Sequence, residues 1–333
     1  MNSFPEFTQY MAGHVCISVR SKNTKLLNAA REWLSLFAEP GCNSTNSNIK
    51  VSLVYSKLRK FLPLYHSTTE YTILFEGDTA RYAALGNKLL VELKKGGCII
   101  IDRLKNKAVC MVNGLCVTDS VYDMEDYMHI VFELLRQNGL YSCHSGAVSM
   151  EGNGLLLIGK SGAGKSTLSL ELLDNGFDFL SDDRCFLRDT DDFTEILAFN
   201  EPVRFFPENL KHINKLKSIC ATDFLYKKCF YPAIFYPDSV KRNCRLTGVI
   251  LPEWDPHSKS SFQILQPAEV LKVLLPQTMV CFFPDTSAAH FDFNCKLVCS
   301  LPCARLRLGH DRHRWTELVR QFLQKAVEDR YGN

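Results

Sequence analysis

Residues 143–183 read CHSGAVSMEGNGLLLIGKSGAGKSTLSLELLDNGFDFLSDD, and the architecture of the chain hangs on this stretch. At its centre, Gly159-Lys160-Ser161-Gly162-Ala163-Gly164-Lys165-Ser166 fits G-x-x-x-x-G-K-[ST]. The flanks suit that pattern. GLLLI before it reads as a buried strand, and STLSLELLDNG after it reads as a helix that stops at Gly176. The glycines let consecutive backbone N–H groups turn toward phosphate oxygens, and the helix start adds its positive end. Lys165 is placed to neutralise β- and γ-phosphates, and the Ser166 hydroxyl to ligate Mg²⁺. Gly159, Ser161, Gly162, Ala163, Gly164, Lys165, Ser166 and Thr167 are therefore the expected nucleotide-binding set.

Upstream, CHSGAVSM is strand-like and joins GLLLI through Glu151-Gly152-Asn153-Gly154, a tight-turn signal. The phosphate-loop strand should thus have an antiparallel partner, which makes the sheet mixed. A hairpin centred near Gly152-Asn153 sets His144 opposite Ser161, within two residues or so. Two readings of His144 stay open at this point: a site residue beside the phosphates, or a strand-end histidine with a satisfied hydrogen bond. Downstream, FDFL is a short apolar strand that ends in Asp182-Asp183. One helix separates this pair from the loop. Neighbouring side chains of an extended chain point opposite ways, but at a strand end both can approach one site. A nucleotide–Mg²⁺ complex needs an acid near the metal, and transfer to a hydroxyl needs a base. Two adjacent acids can divide these tasks. The plainer alternative is a solvated turn.

The bulk composition excludes several classes. The 333 residues carry a net charge of +3, too little to argue for nucleic acid or an anionic membrane. No apolar run reaches the length of a membrane span. The start, MNSFPEFTQY, lacks a basic segment and an apolar core, so the expectation is no signal peptide and a cytoplasmic protein. Fourteen cysteines are scattered without a C-x-x-C pair and read as free thiols. Cys295, Cys299 and Cys303 are evenly spaced, but FDFNCKLVCSLPCARLRL alternates like strands and contains Pro302, which argues against a helical metal site.

Before residue 121 the chain reads as a smaller α+β domain. NTKLLNAAREWLSLFAEPG is an amphipathic helix, and EYTILFEGD, KLLVELKKGG and CIIIDR are strands. A second domain over 121–333 opens with DMEDYMHIVFELLRQNG, a helix capped at Gly139. TGVIL and KLVCSLP read as strands, and DRHRWTELVRQFLQKAVEDR as a closing amphipathic helix. His310, Asp311 and His313 read as its cap. Arg204, in the Pro-flanked NEPVRFFPE, is a candidate substrate or phosphate contact, whereas Arg242 and Arg245 read as surface residues.

His144-Ser145-Gly146, the Gly-Asn-Gly turn, Gly159 to Ser166 and Asp182-Asp183 together resemble the catalytic domain of HPr kinase/phosphorylase. That family shares its phosphate-binding core with phosphoenolpyruvate carboxykinases. The resemblance runs from Cys143 to Leu187. It implies an α/β fold with that core and a mixed sheet. It also implies ATP and Mg²⁺ as cofactors, with Lys165 on the phosphates and Ser166 and Asp182 at the metal. Asp183 becomes the base that takes the acceptor proton, supported by His144. The family's second signature, tied to phosphorolysis of phosphoserine, is not found. The N-terminal half is unlike the regulatory domain of the sugar-control enzymes. The chain is more similar to stand-alone kinases encoded with peptide natural-product pathways, including those acting on lasso-peptide precursors. The implied partner is a peptide or protein serine, and the resemblance adds a homo-oligomer to the expectations. The rival readings are a small-molecule phosphate-loop kinase and a regulatory module that binds ATP without catalysis.

Overall fold

The computed structural model describes residues 6–41, 47–56, 71–113, 127–128, 131–205, 222–224, 227–278 and 281–331. The chain divides into two compact units. One holds Met1–Gly139 with Cys281–Thr286, and the other holds Leu140–Val280 with Ser287–Asn333. The helix Val131–Gln137, which the sequence reading groups with the second domain, falls in the first unit. The earlier part of that reading, residues 121–126, lies outside the described residues.

The first unit is α+β. Its nine-stranded sheet has the order 39–40, 6–12, 15–21, 49–56, 107–113, 97–102, 88–93, 80–85, 72–76. Strands 15–21, 49–56 and 107–113 are mutually parallel, and the other pairs are antiparallel. Helix Thr24–Ser35 forms as its pattern predicts, with the Asn23 side chain accepting from the N–H groups of Lys25 and Leu26. It buries Leu26, Leu27, Ala30, Trp33 and Leu34. Trp33, Phe37 and Phe132 meet in an aromatic cluster.

The second unit is α/β, and its sheet is mixed. Strands Asn153–Leu157, Asn243–Trp254 and Cys303–Leu308 run parallel, side by side. Gly146–Met150 pairs antiparallel with Asn153–Leu157 on one side and with Asp178–Ser181 on the other. At the far end of the strand order lie Leu140–Cys143, Cys185–Asp189 and Thr194–Ala198. The two ends of this order are joined by short connections, residues 144–145 and 182–184. Both fall at the sheet edge where the parallel strands finish.

One sheet face packs helix Pro267–Leu274 and helix Pro284–Ser300; the other packs helix Lys165–Asp174 and helix His313–Tyr331. Trp315 and Val319 of the last helix are fully buried. Its expected cap differs: the Asp311 carboxylate accepts from Ser260 N–H at 2.8 Å and Ser260 Oγ at 2.5 Å.

One expectation is sharpened and one needs correction. The hairpin turn is the two-residue Glu151-Gly152, both with positive φ, so Met150 faces Asn153 and Gly146 faces Leu157. The register continues His144 toward Gly159, at the limit of the two-residue span expected around Ser161. The segment KLVCSLP, read as a strand, belongs largely to helix Pro284–Ser300. His290, Phe293, Asn294, Leu297, Val298 and Leu301 are buried at helical spacing, while Phe291 is exposed. The apparent alternation came from local composition, not from which residues face the core. Cys295 and Cys299 sit on that helix, Cys299 exposed, and Cys303 is buried in a strand.

Candidate active site

The phosphate loop leaves the end of strand Asn153–Leu157, where Ile158 N–H donates to Ile250 of the neighbouring parallel strand at 3.0 Å. Gly162 and Gly164 take φ of 83° and 100°, a backbone shape that L side chains rarely adopt. A Cβ on Gly164 would also stand 2.7 Å from Leu308 Cδ1. The helix that follows, Lys165–Asp174, packs on two sides: Leu168 and Leu172 into one cluster, Leu170 and Leu173 into another. It is therefore buried on two faces, which holds its first turn in place.

The sheet order brings the acids and the histidine to this loop. Asp178–Ser181 ends, Gly146–Met150 begins and Asn153–Leu157 ends on the same edge. Asp182, Asp183 and His144 are consequently neighbours of the loop. A cleft of about 250 Å³ is lined by His144, Lys160, Ser161, Gly162, Gly164, Lys165, Ser166, Thr167, Leu170, Asp182, Asp183, Glu201, Pro202, Arg204 and Phe205. Gly159 and Ala163 lie behind it. The Gly159 carbonyl accepts from Lys165 Nζ at 2.7 Å, and Ala163 N–H donates to the Lys160 carbonyl at 3.2 Å. Arg242 and Arg245 are not among the lining residues, and Arg245 lies over the Phe193 ring at 4.4 Å.

His144 Nε2 is 3.2 Å from Asp183 Oδ1, and both side chains are a little under half exposed. Burial lowers the histidine's pKa from its ordinary value; Asp183 opposes this, while Lys165 and Arg184 reinforce it. At neutral pH the imidazole is neutral, and its carboxylate partner assigns the proton to Nε2. The His144 N–H donates to the Gln277 carbonyl at 2.8 Å, which fixes the backbone beneath the ring.

Asp182 is buried, and burial raises its pKa to about 7, opposed by a hydrogen bond from the Ser166 hydroxyl. Its Oδ1 is buried and has no hydrogen-bond partner among the described residues. A hydroxyl, a carboxylate and an unsatisfied carboxyl oxygen facing a phosphate cradle form a hard-oxygen set. That set suits Mg²⁺, which completes its shell with phosphate oxygens and water. No group of three or more metal-binding side chains occurs among the described residues. Burial also lowers the Lys165 pKa, with Asp183 and then Asp182 working against it.

Glu201 and Arg184 were not anticipated. They form an ion pair at the cleft, and the Arg184 guanidinium lies 4.8 Å from the Phe199 ring centroid. Glu201 is in the stretch that drew attention to Arg204, but its partner is 17 positions away, so spacing alone does not signal it.

Comparison with known proteins centres on this stretch. Residues 138–203 match the family model described as HPr Serine kinase C-terminal domain. The chain is 31% identical over 144 residues to the HPr kinase/phosphorylase of Lactobacillus johnsonii, covering 42% of this chain and 40% of that protein. It is 32% identical over 81 residues to that of Chlorobium chlorochromatii, covering 24% and 23%. The solved Hpr(Ser) kinase/phosphatase from Coxiella burnetii aligns with a TM-score of 0.33 and 14% identity, over 55% of this chain and 97% of that chain. The chain spans less than half the length of these curated relatives. The matched segment, which carries His144, the phosphate loop and both acids, is HPr-kinase-like.

Proposed function

We propose that the protein is an ATP- and Mg²⁺-dependent kinase that transfers the terminal phosphoryl group to a serine hydroxyl of a peptide or protein. The observation that carries this reading is the His144–Asp183 contact at the mouth of the phosphate loop. A loop that only holds a nucleotide has no use for a half-exposed carboxylate paired with a neutral imidazole. A hydroxyl acceptor needs one.

Backbone N–H groups of residues 160–165 bind the phosphate chain, and Lys165 turns from the Gly159 carbonyl to the β- and γ-oxygens. Ser166 and Asp182 would hold Mg²⁺, which would supply neutralisation of the charge that develops on the phosphates. Asp183 accepts the serine Oγ proton as the Oγ–P bond forms. The bond from the γ-phosphorus to the bridging oxygen breaks, and ADP leaves with the electron pair. His144 donates to Asp183, holds it toward the acceptor and takes no proton itself. Arg204 and Glu201, the latter paired with Arg184, line the cleft with the acids, and the acceptor enters there.

The test is incubation with γ-labelled ATP, Mg²⁺ and serine-bearing peptides, including precursor peptides encoded beside its gene. Phosphoserine on a peptide, lost on chelation of Mg²⁺, supports the reading. Label that goes only to a metabolite, or ADP release with no labelled acceptor, overturns it.

A further inference from the structure

We infer that Trp254 is the nucleobase platform of this site, stacking the base of the bound nucleoside triphosphate beside Arg312. The inference rests on the kinase reading and assigns the end of the nucleotide which that reading leaves unplaced.

The carboxyl ends of the parallel strands lie along one sheet edge, and the order of groups along it is asymmetric. Asp182, Asp183 and His144 occupy one flank of the phosphate loop. The terminal phosphate must face them. The triphosphate lies along the loop, so the nucleoside must leave by the opposite flank. That flank is built by the ends of Asn243–Trp254 and Cys303–Leu308, which run past the loop. The Pro252 carbonyl is 3.8 Å from the position a Cβ on Gly159 would take. Leu308, whose side chain crowds Gly164, is the register partner of Trp254.

Trp254 is 43% exposed at this place. A large aromatic surface left in water beside a phosphate cradle is where a base can stack. The ring is also held rigid. It meets the buried Trp315 edge to face, with centroids 5.8 Å apart and planes at 87°. Trp315 Nε1 donates to the Gly309 carbonyl at 3.2 Å, and Gly309 N–H donates to Ser260 Oγ at 3.0 Å. The Arg312 guanidinium lies 5.1 Å from the Trp315 ring and 5.8 Å from the Trp254 ring, and its buried Nη1 makes no hydrogen bond among the described residues. A preformed aromatic face loses little freedom when a ligand stacks on it.

The test compares Mg²⁺-ATP with Mg²⁺-tripolyphosphate, which fills the phosphate loop but has no base. Dissociation constants are measured by calorimetry on the full-length protein, wild type, Trp254→Ala and Trp254→Phe. Base–aromatic stacking predicts that wild type binds ATP about tenfold or more tighter than tripolyphosphate. Trp254→Ala should lose that advantage while keeping tripolyphosphate within about twofold, and Trp254→Phe should recover most of it. Equal loss of both ligands in Trp254→Ala marks a structural role and overturns the inference, as does unchanged ATP affinity. Wild type that binds both ligands equally refutes the platform and leaves the kinase reading standing. Wild type that binds neither refutes both.

Discussion

At the scale of single residues, the site rests on unequal treatment of two adjacent carboxylates. Asp182 is buried against Ser166, whereas Asp183 is almost half exposed and touches His144. Burial suits a metal ligand, and exposure suits a group that must reach an incoming hydroxyl. Asp183→Asn should therefore keep Mg²⁺-ATP affinity and cut phosphoryl transfer by about 10²-fold or more, the usual contribution of a general base. Paired nucleotide-binding and transfer assays check this; transfer at the wild-type rate would remove Asp183 from its role. Lys165→Ala behaves differently. It removes the cation from the phosphates, so both nucleotide affinity and turnover should fall in the same assays. The pair of acids, the phosphate loop and His144 were readable because their chemistry is carried by residue type at short, regular spacing. Glu201 and Arg184 were not, since their ion pair exists only once the chain has folded back across 17 positions.

At the scale of elements, the hairpin that carries His144 was read correctly as a hairpin, with its register two residues from the centre of the expected span and inside it. Gly152-Asn153 looks like the turn because of its composition, yet the chain turns one residue earlier. That choice places Glu151 at φ 52°, where a side chain with a Cβ is strained by roughly 1 kcal/mol or more. The shift in turn moves the pairing two positions along the partner strand and carries His144 back along the phosphate loop. A two-residue turn with both φ positive favours Asn-Gly. Glu151→Asn, at an exposed site, should stabilise the protein by about 0.5–1 kcal/mol in urea unfolding, with no change in transfer. A loss of stability would show that the turn is not of this kind. Helix Pro284–Ser300 teaches the converse. Phe291 and Phe293 suggest a strand by alternation, but burial at 290, 293, 294, 297 and 298 follows the helical period. A short window of mixed residues supports either period, and packing against the sheet decides.

At the scale of the whole molecule, the order of strands was out of reach of the sequence. Nothing local says that residues 144–145 and 182–184 join opposite ends of one strand order, yet this joins the histidine to the acid. The nine-stranded sheet of the first unit was equally hidden, because its order depends on pairings between distant segments such as 49–56 with 107–113. The second unit also bears a global cost for the buried acid that we propose as the Mg²⁺ ligand. The Asp182 pKa of about 7 stands above the ordinary carboxyl value because burial penalises the charge. Between about pH 4 and 7 the folded chain keeps a proton that the unfolded chain has released. The stabilising contribution of this group is therefore full below about pH 4, declines as pH rises from there, and is lost above about 7. Asp182→Asn cannot ionise and escapes that loss. Without Mg²⁺ or nucleotide, the variant should melt above the wild type at pH 8, by on the order of 3 °C or more. The gap should narrow by more than half at pH 5 and close only below about pH 4. Scanning calorimetry of both proteins at the two pH values checks this, and the other titrating groups cancel because both chains share them. The same proton must leave before Mg²⁺ can bind, so the Mg²⁺ needed for half-maximal transfer should fall as pH rises toward 7 and level off above it. A melting gap as wide at pH 5 as at pH 8 would mean that Asp182 is ionised throughout, and the metal requirement would then show no such slope.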